Sequence, residues 1–114
     1  MNHPEGSVQR LGSAIGLAPG AVEEYRRLHD AVWPAVLDRL RASNVTNYTI
    51  FLLGDLLFSY MEYVGDDLEA DMARIADDPE TKRWWTLTAP LQRRLAAAAD
   101  GEWWASMEPV FHLD

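Results

Sequence analysis

The sequence predicts an α+β fold of the ferredoxin-like class, in which a four-stranded antiparallel sheet carries helices on one face. Segments with the apolar alternation or density of strands are separated by segments with the three- and four-residue apolar spacing of helices. Their order is β-α-β-β-α(α)-β. A chain of 114 residues suffices for one such domain, which we place at residues 7–114, after a tail at residues 1–6 that we expect to be disordered.

The first strand and the first helical region occupy the N-terminal third. Residues 7–17 are predicted as a strand, although Gly12 and Gly16 weaken its apolar pattern. A long helical pattern follows and contains Pro34. Because proline removes a backbone donor and clashes with the preceding turn, we expect one helix to end near Asp30 and another to begin at Pro34.

A hairpin is predicted in the middle of the chain. Two apolar strands, at residues 47–53 and 56–64, flank the turn signal Gly54-Asp55. In the first of them, Tyr48 shares a face with the apolar residues two and four positions later. Both strands are apolar on both faces, so we expect helices on one face and another layer, such as a second subunit, on the other.

The C-terminal third predicts two helices and a last strand. A short helix is expected at residues 65–76, and a longer one at residues 80–98 begins after the capping pair Asp78-Pro79. Residues 103–113 are predicted as the final strand. Pro109 lacks a backbone donor, which indicates an edge position or a bulge there.

Composition excludes several classes of protein. The formal net charge is -8, which disfavours binding to nucleic-acid phosphates. The chain has no cysteine, which excludes disulfides, thiolate nucleophiles and zinc ribbons and fits a reducing compartment. The first ten residues lack the apolar core of a signal peptide, and no run approaches the roughly 18 apolar residues of a membrane span. We therefore expect a soluble cytoplasmic protein.

Tyr25, His29 and Trp33 are spaced four residues apart, so on a helix they fall near one stripe. The stripe combines a hydrogen-bonding phenol, the side-chain type that titrates near neutral pH, and a flat apolar surface. Such a set suits acid–base chemistry on a small neutral polar molecule. The alternative, a partly buried histidine that simply bonds to a neighbour, stays open.

The other aromatic residues also allow two interpretations. Tyr25 and Tyr48 fit an ordinary core, but their hydroxyls need partners, which a polar ligand would supply. Adjacent residues on a helix point about 100° apart, so only one of Trp84 and Trp85 can enter the core. The other is free to cover the apolar face of a sugar or to join a dimer interface. No histidine pair stands at metal-ligand spacing, and no phosphate loop is present in the sequence.

Several segments match one known family in order and spacing: Glu24-Tyr25-Arg26-Arg27-Leu28-His29, Val32-Trp33-Pro34, Asn47-Tyr48-Thr49-Ile50-Phe51-Leu52, Leu57-Phe58, Arg83-Trp84-Trp85 and Val110-Phe111-His112-Leu113. Through them the chain resembles the L-rhamnose mutarotases over nearly its whole length. The resemblance implies a homodimeric α+β barrel that interconverts the α and β anomers of L-rhamnose, without a metal or an organic cofactor. It implies that His29 is the catalytic acid and that four aromatic residues contact the sugar, namely Tyr25, Tyr48, Trp84 and Trp85.

Two other functions stay open on the sequence. One is a different enzyme on the same barrel, such as a cofactorless monooxygenase or a small isomerase, because an aromatic-rich pocket would also suit an aromatic substrate. The other is a non-catalytic sugar-binding or interaction domain that uses the tryptophans at its interface. Oxygen uptake would identify the first, and binding without turnover the second.

Overall fold

The computed structural model describes residues 7–114, so the tail predicted at residues 1–6 lies outside the described residues. A 3-10 turn, Ala89–Leu91, joins the last α-helix to the strand that follows it. In chain order the elements are β1 (Gln9–Leu17), α1 (Val22–His29), α2 (Pro34–Ala42), β2 (Val45–Leu53), β3 (Leu56–Tyr63), α3 (Leu68–Asp77), α4 (Pro79–Thr88), β4 (Gln92–Arg93) and β5 (Ala105–Met107).

The sheet is antiparallel, in the order β2-β3-β1, with β4 and β5 both paired to the free edge of β1. Within β1, Gly12–Ala14 pairs with β5, while Gly16 and Leu17 pair with β4. The two short strands thus share the fourth position of the sheet. The predicted ferredoxin-like order is confirmed, with its last strand divided into two pieces.

Proline breaks the long helical pattern as predicted. The first helix, α1, ends at His29, and Pro34 is the first residue of α2. Between them, Trp33 has extended backbone angles, φ -61° and ψ 134°, as the residue before a proline prefers. The break leaves His29 at a helix end.

Two predictions for the C-terminal third are wrong in extent. The helix expected at residues 80–98 ends at Thr88, because Pro90 cannot continue it, and the chain then enters β4. The strand expected at residues 103–113 is confined to Ala105–Met107. Pro109 has no N–H to donate to a sheet, which accounts for the early end of β5.

The core lies between the helices and one face of the sheet. Ile15, Leu17 and Leu57 are buried there and pack with Tyr25 of α1. The predicted hairpin is confirmed: Gly54, with φ 62°, is the first of two turn residues, the position at which a type II′ turn requires glycine. This packing fixes α1 against the sheet.

A buried polar cluster attaches α3 to the sheet. The hydroxyl of Tyr63 donates to Asp71 at 2.5 Å, and the side-chain amide of Asn44 donates to the same oxygen at 2.9 Å. Arg74 donates to the other carboxylate oxygen at 2.5 Å. These donors, the Tyr63 hydroxyl first, hold the pKa of Asp71 below its usual value. The cluster therefore favours the ionised carboxylate in the folded state.

The other face of the sheet carries an apolar patch of four residues, Phe51, Leu53, Phe58 and Met107. Phe51 lies directly opposite Phe58 across the β2–β3 pair, and Met107 lies opposite Gly12. Phe51 is 59% exposed and Leu53 is 68% exposed. An exposed apolar patch of this kind is more typical of an interaction site than of a surface that faces only water. Within residues 7–114, no helix is long and apolar enough to cross a bilayer.

Candidate active site

The His29 imidazole is held in one orientation by Tyr25. Its ring stacks on the Tyr25 ring, with centroids 4.3 Å apart. Its Nδ1 lies 2.9 Å from the main-chain carbonyl oxygen of Tyr25. Because a carbonyl oxygen only accepts hydrogen bonds, Nδ1 carries a proton. The other nitrogen, Nε2, is therefore the one that can accept a proton from a ligand or, once protonated, return it.

Two tryptophans pack beside His29, one in direct contact with it and the other through the first. The ring of Trp84 meets the imidazole edge-on at 5.4 Å, and Trp33 meets Trp84 edge-on at 5.3 Å. The single helical stripe predicted for Tyr25, His29 and Trp33 is wrong at its last member, since α1 ends at His29. Trp33 joins the cluster instead through its contact with Trp84, which lies on α4.

A cavity of about 120 Å³ opens beside this cluster. Tyr25, His29 and the charged Arg26 contribute its polar side. The cavity is partly open to solvent, so a monosaccharide bound there would stay exposed at its mouth. The rest of the lining is apolar and comes from the sheet and the start of α1: Leu17, Val22, Ile50, Leu52 and Leu57.

Tyr48 reaches the same region from β2. A register shift between Thr46 and Thr49 forms a bulge, in which Asn47 adopts φ 49°. Although 43% of the Tyr48 surface is exposed, its phenol oxygen lies among packed atoms near the Tyr25 phenol. Burial, with a smaller effect of Tyr25, raises the pKa of Tyr48 to about 12. Tyr48 is therefore a neutral hydrogen-bonding group near pH 7.

Trp85 is not brought into the cluster. Trp84 is 6% exposed, whereas Trp85 is 43% exposed on the outer side of α4. The predicted division of the pair into one core residue and one available indole is therefore confirmed by their burial. Across residues 7–114, no three histidine, aspartate or glutamate side chains lie close enough together to hold a metal ion.

Gln92 is a site residue that no sequence pattern indicated. Its side-chain Nε2 lies 3.2 Å from the Tyr25 hydroxyl, and its Oε1 accepts the indole N–H of Trp103 at 2.6 Å. Burial raises the pKa of Tyr25, and the hydrogen bond from Gln92 partly offsets that rise. Pro90 indicated that the helix ends before Gln92, but the pairing of Gln92 with Leu17 is a long-range contact that the sequence pattern does not indicate.

The sequence is similar to one known family over most of its length. The family model of L-rhamnose mutarotase matches residues 10–113. An L-rhamnose mutarotase of Burkholderia cenocepacia is 39% identical over 110 residues, which cover 94% of this chain and all of that protein. One of Listeria monocytogenes is 39% identical over 88 residues, or 75% of this chain and 82% of that protein.

Solved structures show the same relationship. The crystal structure of an L-rhamnose mutarotase of Formosa agariphila superposes with a TM-score of 0.74 and 25% identity, over 93% of this chain and 99% of that one. A type-II polyketide cyclase of Streptomyces glaucescens superposes with a TM-score of 0.63 at 14% identity, over 93% and 97% of the two chains, and so shares the fold alone. From the family match and these relatives, the chain belongs to the L-rhamnose mutarotase family.

Proposed function

We propose that the protein interconverts the α and β anomers of L-rhamnose, with His29 as the general acid and base. The observation that carries this assignment is the hydrogen bond between His29 Nδ1 and the Tyr25 carbonyl oxygen, which reserves Nε2 for the substrate. His29 also lines the cavity. An imidazole in a fixed orientation beside a small cavity is the arrangement that general acid–base catalysis needs.

The proposed reaction opens and recloses the sugar ring. Protonated Nε2 donates its proton to the ring oxygen while the anomeric hydroxyl loses its proton to a water or a second group. The bond between C1 and the ring oxygen breaks, and C1 becomes an aldehyde carbon. Rotation about the C1–C2 bond then presents the other face, and the reverse proton transfers close the ring. A positioned acid–base group contributes about 10²–10⁴-fold to such a step.

The remaining aromatic residues are assigned to binding. Tyr25 lines the cavity, and Tyr48 lies near Tyr25; both are neutral phenols, and we assign them to orienting sugar hydroxyls. Trp84 supports the imidazole, and the exposed indole of Trp85 covers the apolar face of the part of the sugar that projects. This division refines the assignment of both tryptophans to sugar contact, because Trp84 has little free surface.

The apolar lining favours a 6-deoxy sugar. Leu17, Ile50 and Leu57 supply no hydrogen-bond partner to a sugar carbon that carries a hydroxyl. Burying an unpaired hydroxyl costs free energy, whereas burying a methyl group is favourable. L-Rhamnose has a methyl group at C6, so we expect it to be preferred to L-mannose, which carries a hydroxyl there.

Saturation-transfer NMR between the two anomeric proton resonances tests the assignment. With catalytic amounts of protein, we expect faster anomer exchange for L-rhamnose than without protein, and a smaller acceleration for L-mannose. Equal exchange with and without protein would contradict the proposed activity. In that case, oxygen uptake with aromatic substrates and sugar binding without turnover would separate the two alternative functions.

The apolar patch of Phe51, Leu53, Phe58 and Met107 supports a further part of the proposal, that two chains form a homodimer through this face of the sheet. Two sheets packed face to face would complete the α+β barrel that the family resemblance implies. Sedimentation equilibrium should give twice the chain mass of 12.9 kDa, and the chain mass itself would contradict the dimer.

We also propose a cytoplasmic location, which fits the cysteine-free sequence and which cell fractionation would test.

A further inference from the structure

We propose that Gln92 is a positioning residue that, together with Trp103, fixes the direction in which the Tyr25 hydroxyl donates its proton. This inference rests on the proposed function, since it concerns how Tyr25 meets the substrate. Gln92 lies on β4, and Trp103 lies in the segment between β4 and β5. Neither residue lines the cavity, so both act through Tyr25.

The orientation of the Gln92 amide follows from its two partners. The indole nitrogen of Trp103 can only donate a hydrogen bond, so the atom 2.6 Å away must be the amide oxygen. The amide nitrogen is then the atom 3.2 Å from the Tyr25 hydroxyl, and it can only donate. Trp103 therefore selects one of the two amide orientations, and that orientation supplies a donor to Tyr25.

The consequence falls on the hydroxyl proton. Since the Tyr25 oxygen accepts the N–H of Gln92, its own hydrogen has to point away from the amide. Tyr25 lines the cavity and its phenol interacts with that of Tyr48, so a ligand in the cavity or the Tyr48 hydroxyl is the partner available to that hydrogen. Gln92 thus keeps Tyr25 ready to donate to a sugar oxygen beside His29, on which the Tyr25 ring is stacked. Donors oriented before the substrate binds need no rearrangement during the reaction.

The fold holds this arrangement in place. Gln92 is paired with Leu17, a buried residue of β1 that also lines the cavity. The segment that carries Trp103 is braced by Arg94, whose guanidinium donates to the main-chain oxygens of Ala98, Ala99 and Glu102. The Gln92 amide is therefore carried by a paired strand. Its partner, the Trp103 indole, lies on a segment that is held by its own hydrogen bonds.

Two substitutions at position 92 separate positioning from packing. Gln92→Leu removes the donor, and we expect kcat to fall about fivefold, the value of one neutral hydrogen bond, with a smaller change in KM. Gln92→Glu keeps the shape and the Trp103 partner, but its carboxylate accepts from Tyr25 and turns the hydroxyl away from the cavity. We expect about a tenfold fall in kcat that diminishes at low pH, where the protonated carboxyl can donate again. Gln9→Glu, an exposed change of equal charge on β1, is the matched control and should match the parent chain.

The free protein provides a readout that does not depend on turnover. In Gln92→Leu the Trp103 indole N–H resonance should shift, and the phenol of Tyr25, followed by ¹³Cζ labelling, should titrate at higher pH than in the parent chain. If the parent chain catalyses anomer exchange and both variants keep its kcat, the positioning role is overturned and the proposed function stands. If the parent chain is inactive, the proposed function fails, and unmoved Trp103 and Tyr25 resonances would then overturn the Gln92 contact itself.

Discussion

The paired tryptophans of α4 allow a prediction in which one substitution, made at adjacent positions, has a large effect on stability at one and a small effect at the other. Trp84 is buried and makes two edge-on contacts, with His29 and with Trp33. Such contacts contribute about 0.5–1.5 kcal/mol each beyond area burial. Trp84→Phe should therefore lower the free energy of unfolding by about 2 kcal/mol. For a domain of this size, that corresponds to a fall in Tm of roughly 10 °C.

Trp85→Phe is the matched control, because it makes the same change on the exposed side of the same helix. Its effect on the free energy of unfolding should stay within about 0.5 kcal/mol. Urea denaturation followed by far-UV circular dichroism measures both, at one fixed protein concentration so that any dimerisation contributes equally. Equal destabilisation by the two substitutions would refute the structural role assigned to Trp84.

The same pair of variants should divide in the anomer-exchange assay. Trp84→Phe weakens the edge-on packing that holds the His29 imidazole in place, so kcat should fall. Trp85→Phe should raise KM with little change in kcat, because a sugar-covering indole contributes binding to the ground state and the transition state alike. An unchanged KM in the Trp85 variant would contradict the sugar contact proposed for that residue.

Four further outcomes are expected. Tyr63→Phe removes a donor to Asp71 and should destabilise the fold by about 1–2 kcal/mol in urea denaturation, with no loss meaning that the bond contributes nothing. Since the pKa of Asp71 is lowered in the folded state, the ionised carboxylate stabilises the fold above the unfolded value of 3.8, and this stabilisation is lost as pH falls through the folded pKa. Stability measured against pH in acid should therefore differ between the parent chain and Asp71→Asn, and parallel curves would contradict this. Since the folded pKa of Tyr48 is raised, its contribution is present below pH 10 and is lost as pH rises towards about 12, and Tyr48→Phe should flatten that alkaline fall in Tm. Finally, Phe51→Glu should convert the proposed dimer to a monomer in sedimentation, whereas Leu87→Glu, a control on exposed α4 surface, should not.

Local signals with a steric cause predicted the first half of the fold. Pro34 divides the long helical pattern because its ring is incompatible with the preceding turn, whatever the tertiary context. Gly54 marks the hairpin because the turn requires a positive φ there. Both features depend on a few neighbouring atoms, so a single sequence suffices to identify them.

The C-terminal third was harder to predict, because its structure depends on tertiary contacts. The helix predicted at residues 80–98 includes part of the alanine-rich residues 96–99, which have high helix propensity. In the structure, β4 forms because Gln92 and Arg93 pair with the edge of β1, a partner far away in the sequence. Propensity does not report such pairing, and Pro90 indicated only where the helix ends.

Only part of the candidate site could be predicted from the sequence, for the same reason. The four-residue spacing of Tyr25 and His29 predicted their contact, since both lie on one helix. The approach of Trp84 to His29 depends on how α4 packs against the other helices, and Gln92 reaches Tyr25 only through the register of β4. Contacts between distant elements are set by the fold as a whole, so no spacing rule predicts them.

The central claim is that His29 Nε2 transfers the proton that opens the sugar ring. The most direct test compares the parent chain with His29→Ala by saturation-transfer NMR on L-rhamnose at equal protein concentration, after circular dichroism shows that both are folded. We predict faster anomer exchange with the parent chain and, with His29→Ala, a rate about 10²-fold or more lower, close to that of the sugar alone. Equal acceleration by the two proteins would contradict the claim.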